Sequence, residues 1–262
     1  MTNQTGTPPV ARPEILSLDL SDLRFALRAG WQDFVAQPLY GAFFASVYFA
    51  GGWLLVLAFT LKGQVWWTLP AAAGFPILGP FVACGFYDIS RRREAGEAMV
   101  LRDILGAVFR QKDRQIPSMA AVIVVFFLFW NFLSHMIFAL FLGKATMTNV
   151  SSSLGVFLTS EGLAMLAFGT LVGAVFATLL YALTVVSLPM LLDEREVDFV
   201  TAMLTSVALV RENPVVMLGW GAFIAALLFL AMLPGFLGLF IVLPVLGHAS
   251  WHLYRRSIEW PQ

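Results

Sequence analysis

The sequence is poor in charged residues and in cysteine, and each scarcity excludes a class of protein. Asp, Glu, Lys and Arg together make up 12% of the 262 residues, whereas about a quarter of a soluble domain is charged. Hydrophobic residues make up 59%, which predicts an integral membrane protein. Cys84 is the single cysteine. It cannot form an intramolecular disulfide, and its apolar surroundings predict an inert, buried thiol.

Motifs that carry enzymatic or cofactor chemistry are also missing. The sequence has no glycine-rich phosphate loop, no Cys or His set with metal-ligand spacing, and no serine nucleophile turn. We therefore expect no catalytic residue, no metal and no other cofactor, and we expect a protein that is not an enzyme. The formal net charge of zero gives no indication of a nucleic-acid partner, and none is expected.

Six long apolar runs dominate the rest of the sequence. A helix of about 20 apolar residues crosses the roughly 30 Å hydrocarbon layer of a bilayer. The runs cover about residues 38–61, 65–87, 117–142, 162–192, 214–232 and 234–254. The sequence therefore predicts an all-α, polytopic membrane protein, with six transmembrane helices in a membrane domain that covers residues 38–262. Because the fifth and sixth runs meet at Leu233 and Pro234, we expect a tight hairpin there.

The basic residues indicate how these helices are oriented. Six spans place both termini on one face of the membrane, and fourteen of the sixteen Lys and Arg residues lie on that face. The other face has only Lys62 and Lys144. By the positive-inside rule, both termini and the loops at 90–116 and 193–213 are expected to be cytoplasmic.

An amphipathic segment that ends at a proline precedes each pair of spans. The three segments cover 21–38, about 99–117 and about 197–214. The pattern is that of three tandem units with parallel symmetry, each made of one amphipathic helix and one helical hairpin. Residues 1–37 are thus expected to be a cytoplasmic tail followed by a helix that lies flat on the membrane surface.

The first amphipathic segment illustrates the pattern. Leu23, Leu27 and Trp31 recur near helical spacing, while Arg24 lies on another face. Ser21 stands where an N-cap is needed, and its hydroxyl is well suited to accept a backbone hydrogen bond. We therefore expect the helix to begin at Ser21 and to turn its leucine stripe toward the membrane.

Three segments carry a resemblance to a known family. They read GPFVACGFYDISRRREAGE, SLPMLLDEREVDFVTAMLTSVALVRENP and PVLGHASWHLYRR, and the last is the most specific. They resemble a bacterial family of predicted integral membrane proteins, domain of unknown function 2189, over nearly the whole chain after the N-terminal tail. The resemblance implies a location in the bacterial inner (cytoplasmic) membrane and about six spans. It implies no activity, cofactor or catalytic residue.

Ionisable residues at the ends of the second and sixth spans form a candidate polar site. His248 and His252 lie one helical turn apart, with Arg255 at similar depth, and Asp88 ends the second span. Each end follows a Pro-x-Leu-Gly sequence at nearly the same distance, so a rise of 1.5 Å per residue places the polar groups level. Because an unpaired carboxylate is costly at that depth, we predict a contact between Asp88 and the histidine face. The arginines one turn after Asp88 are a local alternative.

The histidines themselves are open to two interpretations. His248 and His252 are suited to structural hydrogen bonding, and also to metal or proton chemistry, because ionisable residues inside membranes are often functional. His135 lies about 27 Å from the cytoplasmic corner, at 1.5 Å per residue, so it cannot share a ligand with the other two. We expect it to form a hydrogen bond near Asn131, one turn earlier.

The sequence is compatible with more than one kind of function. The missing catalytic motifs and the nearly uncharged spans favour an accessory, assembly or scaffold component of a membrane complex. Its partners would be the lipid bilayer and other membrane proteins or a second copy of the chain. The alternative is a small-solute transporter or permease, because prolines interrupt the second and sixth spans, although no charged residue lies near the middle of a span. An enzyme acting on lipids comes third, with Asp88 and the histidines as its equipment.

Overall fold

The computed structural model describes residues 13–62, 68–143, 154–193 and 197–260. Lys144 lies outside these ranges, as does the side chain of Lys62, so the two residues expected on the outer face are not placed. Within the described ranges the chain is almost entirely helical, which confirms the expected all-α class.

Helices make up most of the described chain. In chain order they are α1 (Leu20–Ala36), α2 (Pro38–Lys62), α3 (Thr68–Ala95), α4 (Leu101–Arg110), α5 (Ile116–Leu142), α6 (Ser160–Thr184), α7 (Ser187–Leu192), α8 (Phe199–Glu212), α9 (Pro214–Met232) and α10 (Leu239–Ser257). Short 3-10 turns occupy Gln111–Asp113 and Leu154–Leu158. The three expected amphipathic segments are thus helices, as α1, α4 and α8.

Several of these helices are long and apolar enough to cross a membrane. Among the described residues four segments qualify: Pro38–Leu57, Ile116–Leu142, Ser160–Leu192 and Pro214–Met232. They correspond to the first, third, fourth and fifth expected spans, so the protein is a polytopic membrane protein. The second and sixth expected spans form helices α3 and α10, and the last turns of both helices carry arginines.

Prolines stand at the beginnings of three of the apolar helices. Pro38 and Pro214 are the first residues of α2 and α9, and Pro117 is the second residue of α5. A proline is well tolerated in a first helical turn, because an N–H group there has no intrahelical acceptor. The expected change at a proline from each amphipathic helix to the apolar helix that follows it is therefore confirmed.

The N-cap of α1 is Asp19 rather than the expected Ser21. The Asp19 carboxylate accepts hydrogen bonds from the backbone N–H groups of Ser21, at 2.6 Å, and of Asp22, at 3.2 Å. The Asp22 carboxylate in turn accepts from the backbone N–H of Asp19 at 2.9 Å. This reciprocal arrangement is a capping box, and its second carboxylate explains why the helix begins earlier.

The turn between α9 and α10 is longer than the expected two-residue hairpin. Helix α9 ends at Met232 and α10 begins at Leu239 rather than at Pro234. Gly235 and Phe236 within the turn have φ angles of 64° and 68°. Glycine adopts this left-handed conformation without a steric penalty, and the reversal at Gly235 delays the start of α10.

The fourth apolar run is one candidate span, Ser160–Leu192, but it forms two successive helices. Helix α6 ends at Thr184, and α7 begins at Ser187. Pro189 has no N–H group to donate to the carbonyl of Val185, so one bond of a continuous helix cannot form there. The division therefore has a local cause in the sequence.

Helix α1 packs against α10 through a face of small and acidic residues. Its buried residues are Asp22, Ala26, Gly30 and Asp33, which share one face at helical spacing. A Cβ atom added to Gly30 would lie 2.6 Å from the backbone nitrogen of Ala249. The backbones of the first and last helices are therefore in contact, and α1 is part of the bundle on this side.

Glycines also bring α10 close to α2 and α3. A Cβ atom added to Gly247 would lie 2.7 Å from the Cβ atom of Phe86 in α3. One added to Gly41 of α2 would lie 2.9 Å from the Cβ atom of Pro244. The Pro-x-Leu-Gly sequence of α10 thus forms helix contacts on two sides, and it places the carboxyl ends of α3 and α10 side by side.

The segments before α1 and after α10 meet beside the carboxyl end of α10. Strand β1 (Glu14–Ile15) pairs antiparallel with β2 (Ile258–Glu259). The side-chain oxygen of Asn213 accepts a hydrogen bond from the Leu18 N–H at 2.7 Å, and its side-chain nitrogen donates to the Leu16 carbonyl at 3.2 Å. The chain before α1, the start of α9 and the end of α10 therefore lie together.

Candidate functional site: a polar network that joins three helices

The predicted polar residues lie where α1, α3 and α10 meet. Asp88 is in the last part of α3, and His248, His252 and Arg255 are in the last part of α10. Between them lies a set of side chains that we call the polar network. Its members are Asp33 of α1, Ser90, Arg93 and Glu94 of α3, and His248 and His252 of α10.

Asp33 is the centre of the polar network. Its carboxylate accepts hydrogen bonds from the Ser90 hydroxyl at 2.6 Å and from His252 Nε2 at 2.8 Å. Its other oxygen lies 3.0 Å from Arg93 Nε. Burial alone raises the pKa of Asp33, but the hydrogen bonds from His252 and Ser90 outweigh burial, and the net pKa lies below its ordinary value. Asp33 is therefore held as a carboxylate.

His252 joins the three helices. Its Nε2 atom faces Asp33 of α1, and its Nδ1 atom lies 3.3 Å from Oε1 of Glu94 in α3. An ionised carboxylate can only accept hydrogen bonds, so both ring nitrogens must carry protons to satisfy both contacts. The geometry therefore fits an imidazolium ion between two carboxylates.

His248 is enclosed completely, with no exposed surface. Its Nδ1 atom lies 2.9 Å from the Ser90 hydroxyl oxygen and 3.1 Å from the Phe86 carbonyl oxygen. Because a carbonyl only accepts, Nδ1 is the nitrogen that carries the proton. Its Nε2 atom has no hydrogen-bond partner among the described residues. A proton added there would place a charge in a buried position without a partner, which is costly.

Asp88 does not contact the histidines, contrary to our expectation. Its carboxylate is 1% exposed and pairs with two arginines of its own helix. Oδ2 lies 2.7 Å from Arg92 Nε, and Oδ1 lies 2.8 Å from Arg91 Nη2. Both arginines also lie 3.2 Å from Glu97. The local alternative is therefore the one that forms, because residues three and four apart already face each other on a helix.

Arg255 lies at the rim of the polar network. Its Nε atom is 3.5 Å from Glu94, and its Nη1 atom is 3.7 Å from Asp193. The side chain is 44% exposed, so these pairs contribute little to stability. The nearby Tyr254 hydroxyl donates to Asp193 at 2.7 Å, which attaches the segment after α7 to the same end of α10.

The third histidine, His135, behaves as expected. Its Nδ1 atom lies 2.7 Å from the Asn131 carbonyl oxygen, one turn earlier in α5. The contact is local, because both residues belong to the same helix. His135 is on α5 and belongs to no part of the polar network.

Several members of the polar network were not predicted from the sequence. For one of them, Asp33, the pattern of residues along α1 could have indicated a buried position. Asp33 is not among the residues expected at the polar site. Yet Asp22, Ala26, Gly30 and Asp33 form a stripe of small and acidic residues, which is unsuited to lipid and suited to close contact with a basic helix end. Such a stripe predicts a packed face. No comparable pattern marks Ser90 or Glu94.

The polar network joins three helices through ion pairs. We call this arrangement an ionic clamp, and the end of the bundle where it lies the clamped end. Two carboxylates, Asp33 and Glu94, face two cationic groups, Arg93 and the imidazolium of His252. The Ser90 hydroxyl is fully buried and donates to Asp33, so it is not presented to a substrate. In the described ranges, no group of three or more His, Cys, Asp or Glu residues is arranged to hold a metal ion.

The fold therefore defines a polytopic helical membrane protein with a buried ionic clamp at one end of the bundle. Residues 68–193 match the model of the family described as predicted integral membrane protein (DUF2189), which confirms the resemblance noted in the sequence over that segment. The matched segment includes Asp88 and Ser90. It does not include the C-terminal segment with His248 and His252, which we had considered the most specific part of the resemblance.

No curated protein matches the chain. No solved structure matches it either.

Proposed function

We propose that the protein is a non-catalytic accessory, assembly or scaffold component of a membrane complex in the bacterial inner membrane. The distribution of burial carries this proposal. In an 18-residue window of each of the four candidate spans, only 11–22% of the residues are buried within the chain, so many of their side chains are available to other molecules in the membrane. Helices associate in bilayers through van der Waals packing and interhelical hydrogen bonds. We infer that another membrane protein, or a second copy of this chain, covers some of these side chains.

The buried polar residues, in contrast to the exposed apolar ones, support a structural function within the chain. The ionisable side chains of the polar network bind one another across α1, α3 and α10, and Ser90 and His248 are fully buried. Groups that are used in this way hold helices in place. They are poorly placed to act as a general acid, base or nucleophile, which must reach the reacting atom.

The connections at the clamped end support six membrane crossings. Asn213 precedes α9 and is bonded to Leu16, whose N–H donates to the Ser257 carbonyl at the end of α10 at 3.0 Å. If α9 crosses the membrane, α10 must therefore cross back. Asp33, just before α2, is bound to Arg93 at the end of α3, so the same reasoning makes α3 the return of α2. Both termini then lie on one side.

The basic residues support a cytoplasmic location for that side. Arg91, Arg92, Arg93, Arg255 and Arg256 all lie at the clamped end. Cytoplasmic ends of membrane helices are enriched in Lys and Arg. We therefore propose that both termini and the polar network are cytoplasmic.

Transport is supported less well than a scaffold function. Prolines in both the second and the sixth expected spans were the sequence feature in favour of transport, because broken helices frequently bind substrates. Pro244 instead packs closely against Gly41 of α2, so it contributes to a helix contact. The ionisable residues near it belong to the polar network.

Photocrosslinking in living cells tests the proposal. A photoreactive amino acid replaces Leu140 of α5 or Leu171 of α6, which are 75% and 65% exposed, and, as the matched control, the fully buried Met119 of α5. We expect the same protein, or a second copy of the chain, to crosslink from both exposed positions and not from Met119. We also expect it to remain bound in stoichiometric amount after solubilisation.

Two results would contradict the scaffold function. The first is that only lipid is crosslinked from the exposed positions. The second is that vesicles containing the pure protein take up a solute that protein-free vesicles exclude, which would support the transporter.

A further inference from the structure

The outward face of α1 combines apolar and basic side chains. Leu20, Trp31 and Val35 are 61%, 51% and 57% exposed, although α1 is packed against α10 on its other side. Arg24 and Arg28 are also exposed. At 100° per residue these five positions fall within one quarter of the helix circumference. They therefore form a single stripe, which we call the outer α1 face.

The charges of the outer α1 face differ from those of the buried face. On the buried face, Asp22 lies 2.6 Å from Arg256, and Asp33 lies 3.0 Å from Arg93. In the described part of the chain, neither Arg24 nor Arg28 has a carboxylate within ion-pair distance. The outer α1 face therefore presents two positive charges, one helical turn apart, that no carboxylate in the described ranges neutralises.

The position of α1 places this face at the boundary of the bilayer. Helix α1 ends at Ala36, and the first candidate span begins at Pro38. Tryptophan is enriched at the level of the lipid headgroups, where its ring is partly apolar and partly polar. Guanidinium groups bind phosphate oxygens through paired hydrogen bonds. Trp31, Arg24 and Arg28 thus match an anionic headgroup and the first part of its acyl chains.

We propose that the outer α1 face is a binding site for anionic phospholipid. Arg24 and Arg28 bind the phosphate and the net negative headgroup, and Leu20, Trp31 and Val35 enter the upper acyl-chain region. Side chains at positions i and i+4 of a helix are about 6 Å apart at Cβ, so both arginines can reach one headgroup. This lipid site does not depend on whether the protein also binds a protein partner.

Native mass spectrometry of the full chain in detergent measures this binding. The probes are phosphatidylglycerol, which is anionic, and phosphatidylcholine, which has the same acyl chains and no net charge. We expect the wild-type protein to retain phosphatidylglycerol preferentially. An arginine near an anionic lipid surface strengthens binding about fivefold, so the double variant Arg24→Gln/Arg28→Gln should bind phosphatidylglycerol about 25-fold more weakly. Its binding of phosphatidylcholine should not change.

The matched control removes the same charge from another amphipathic helix. Arg102 and Arg110 of α4 are exposed, and the variant Arg102→Gln/Arg110→Gln should retain near wild-type affinity. An equal loss in both double variants would show general charge attraction and overturn the site, as would displacement of the lipid by millimolar inorganic phosphate. The variant Arg24→Lys/Arg28→Lys keeps the charge. If it binds like the wild type and melts like the Gln variant, misfolding does not explain the loss.

Discussion

The imidazole of His252 binds the carboxylate of Asp33 across the full length of the chain, with 2.8 Å between Nε2 and Oδ2. The two residues are 219 positions apart and belong to the last and first helices. Both are buried, with 8% and 5% of their surfaces exposed. Because Glu94 of α3 faces the other ring nitrogen at 3.3 Å, one imidazolium holds three helices at the clamped end.

The first prediction concerns the coupling between these two residues. Removing one partner of a buried ion pair leaves the other charge unpaired, which typically costs about 3–5 kcal/mol. We expect Asp33→Asn and His252→Gln each to lower the free energy of unfolding in detergent. The double variant should lose less than the sum of the two, with a coupling energy of about 1–3 kcal/mol. Asp88→Asn with His252→Gln is the control pair and should be additive, because Asp88 binds Arg91 and Arg92. Additive losses for Asp33 and His252 would show that they are not paired.

The second prediction concerns the contact between α1 and α10 at Gly30. A Cβ atom at this position would lie 2.6 Å from the backbone nitrogen of Ala249, so Gly30→Ala must separate the helices. We expect a loss of about 1–3 kcal/mol, as for other overpacked positions, measured by thermal or denaturant unfolding. Gly219→Ala in α9 is the matched control, because no atom lies within 4 Å of its added Cβ. That change should be neutral or stabilise by up to about 1 kcal/mol. Equal effects at the two glycines would rule out the close crossing.

The third prediction concerns stability in acid. The pKa values of Asp33 and Glu94 are both lowered in the folded protein, because burial, which raises them, is outweighed by contacts that include His252. A carboxyl group with a lowered pKa stabilises the fold above its unfolded pKa, and this contribution is lost as the pH falls through the folded pKa. The ordinary pKa values of Asp and Glu are 3.8 and 4.5, so the melting temperature should fall as the pH drops below about 4.5. Asp33→Asn should lower stability at pH 7 and flatten this acid dependence. An unchanged slope in that variant would mean that Asp33 is not ionised in the fold.

The fourth prediction concerns the path of the chain through the membrane. Leu237, in the turn before α10, is 59% exposed, and Glu212, at the end of α8, is also exposed. If α9 and α10 both cross, these residues lie on opposite sides. A membrane-impermeant maleimide should label Leu237→Cys in intact spheroplasts and should label Glu212→Cys only after permeabilisation. The native Cys84 is completely buried and provides an unlabelled background. Labelling of both positions from the same side would contradict the six-span topology.

Features that depend on neighbouring residues were predictable from the sequence. The apolar runs determine which segments become long helices, because every backbone group must be satisfied inside a helix when the surroundings are lipid. The prolines at positions 38, 117 and 214 mark where three helices begin, since a proline is best tolerated in the first turn. The alignment of α3 with α10 was not predictable in this way: His248 lies beside Phe86 and His252 beside Glu94, so Asp88 is level with an earlier turn of α10 than expected.

Only the tertiary structure decided which polar groups meet. Asp88, Asp33 and His252 are all near the clamped end, but distance along the chain does not show which pairs face each other. Asp88 is bound by arginines one turn away, so it had no need of a distant partner. Asp33 had none nearby on its own buried face, and the absence of a side chain at Gly30 brings α10 close enough to provide His252. Helix periodicity is a local property of the sequence, whereas the partner of a buried charge depends on how closely two backbones can approach.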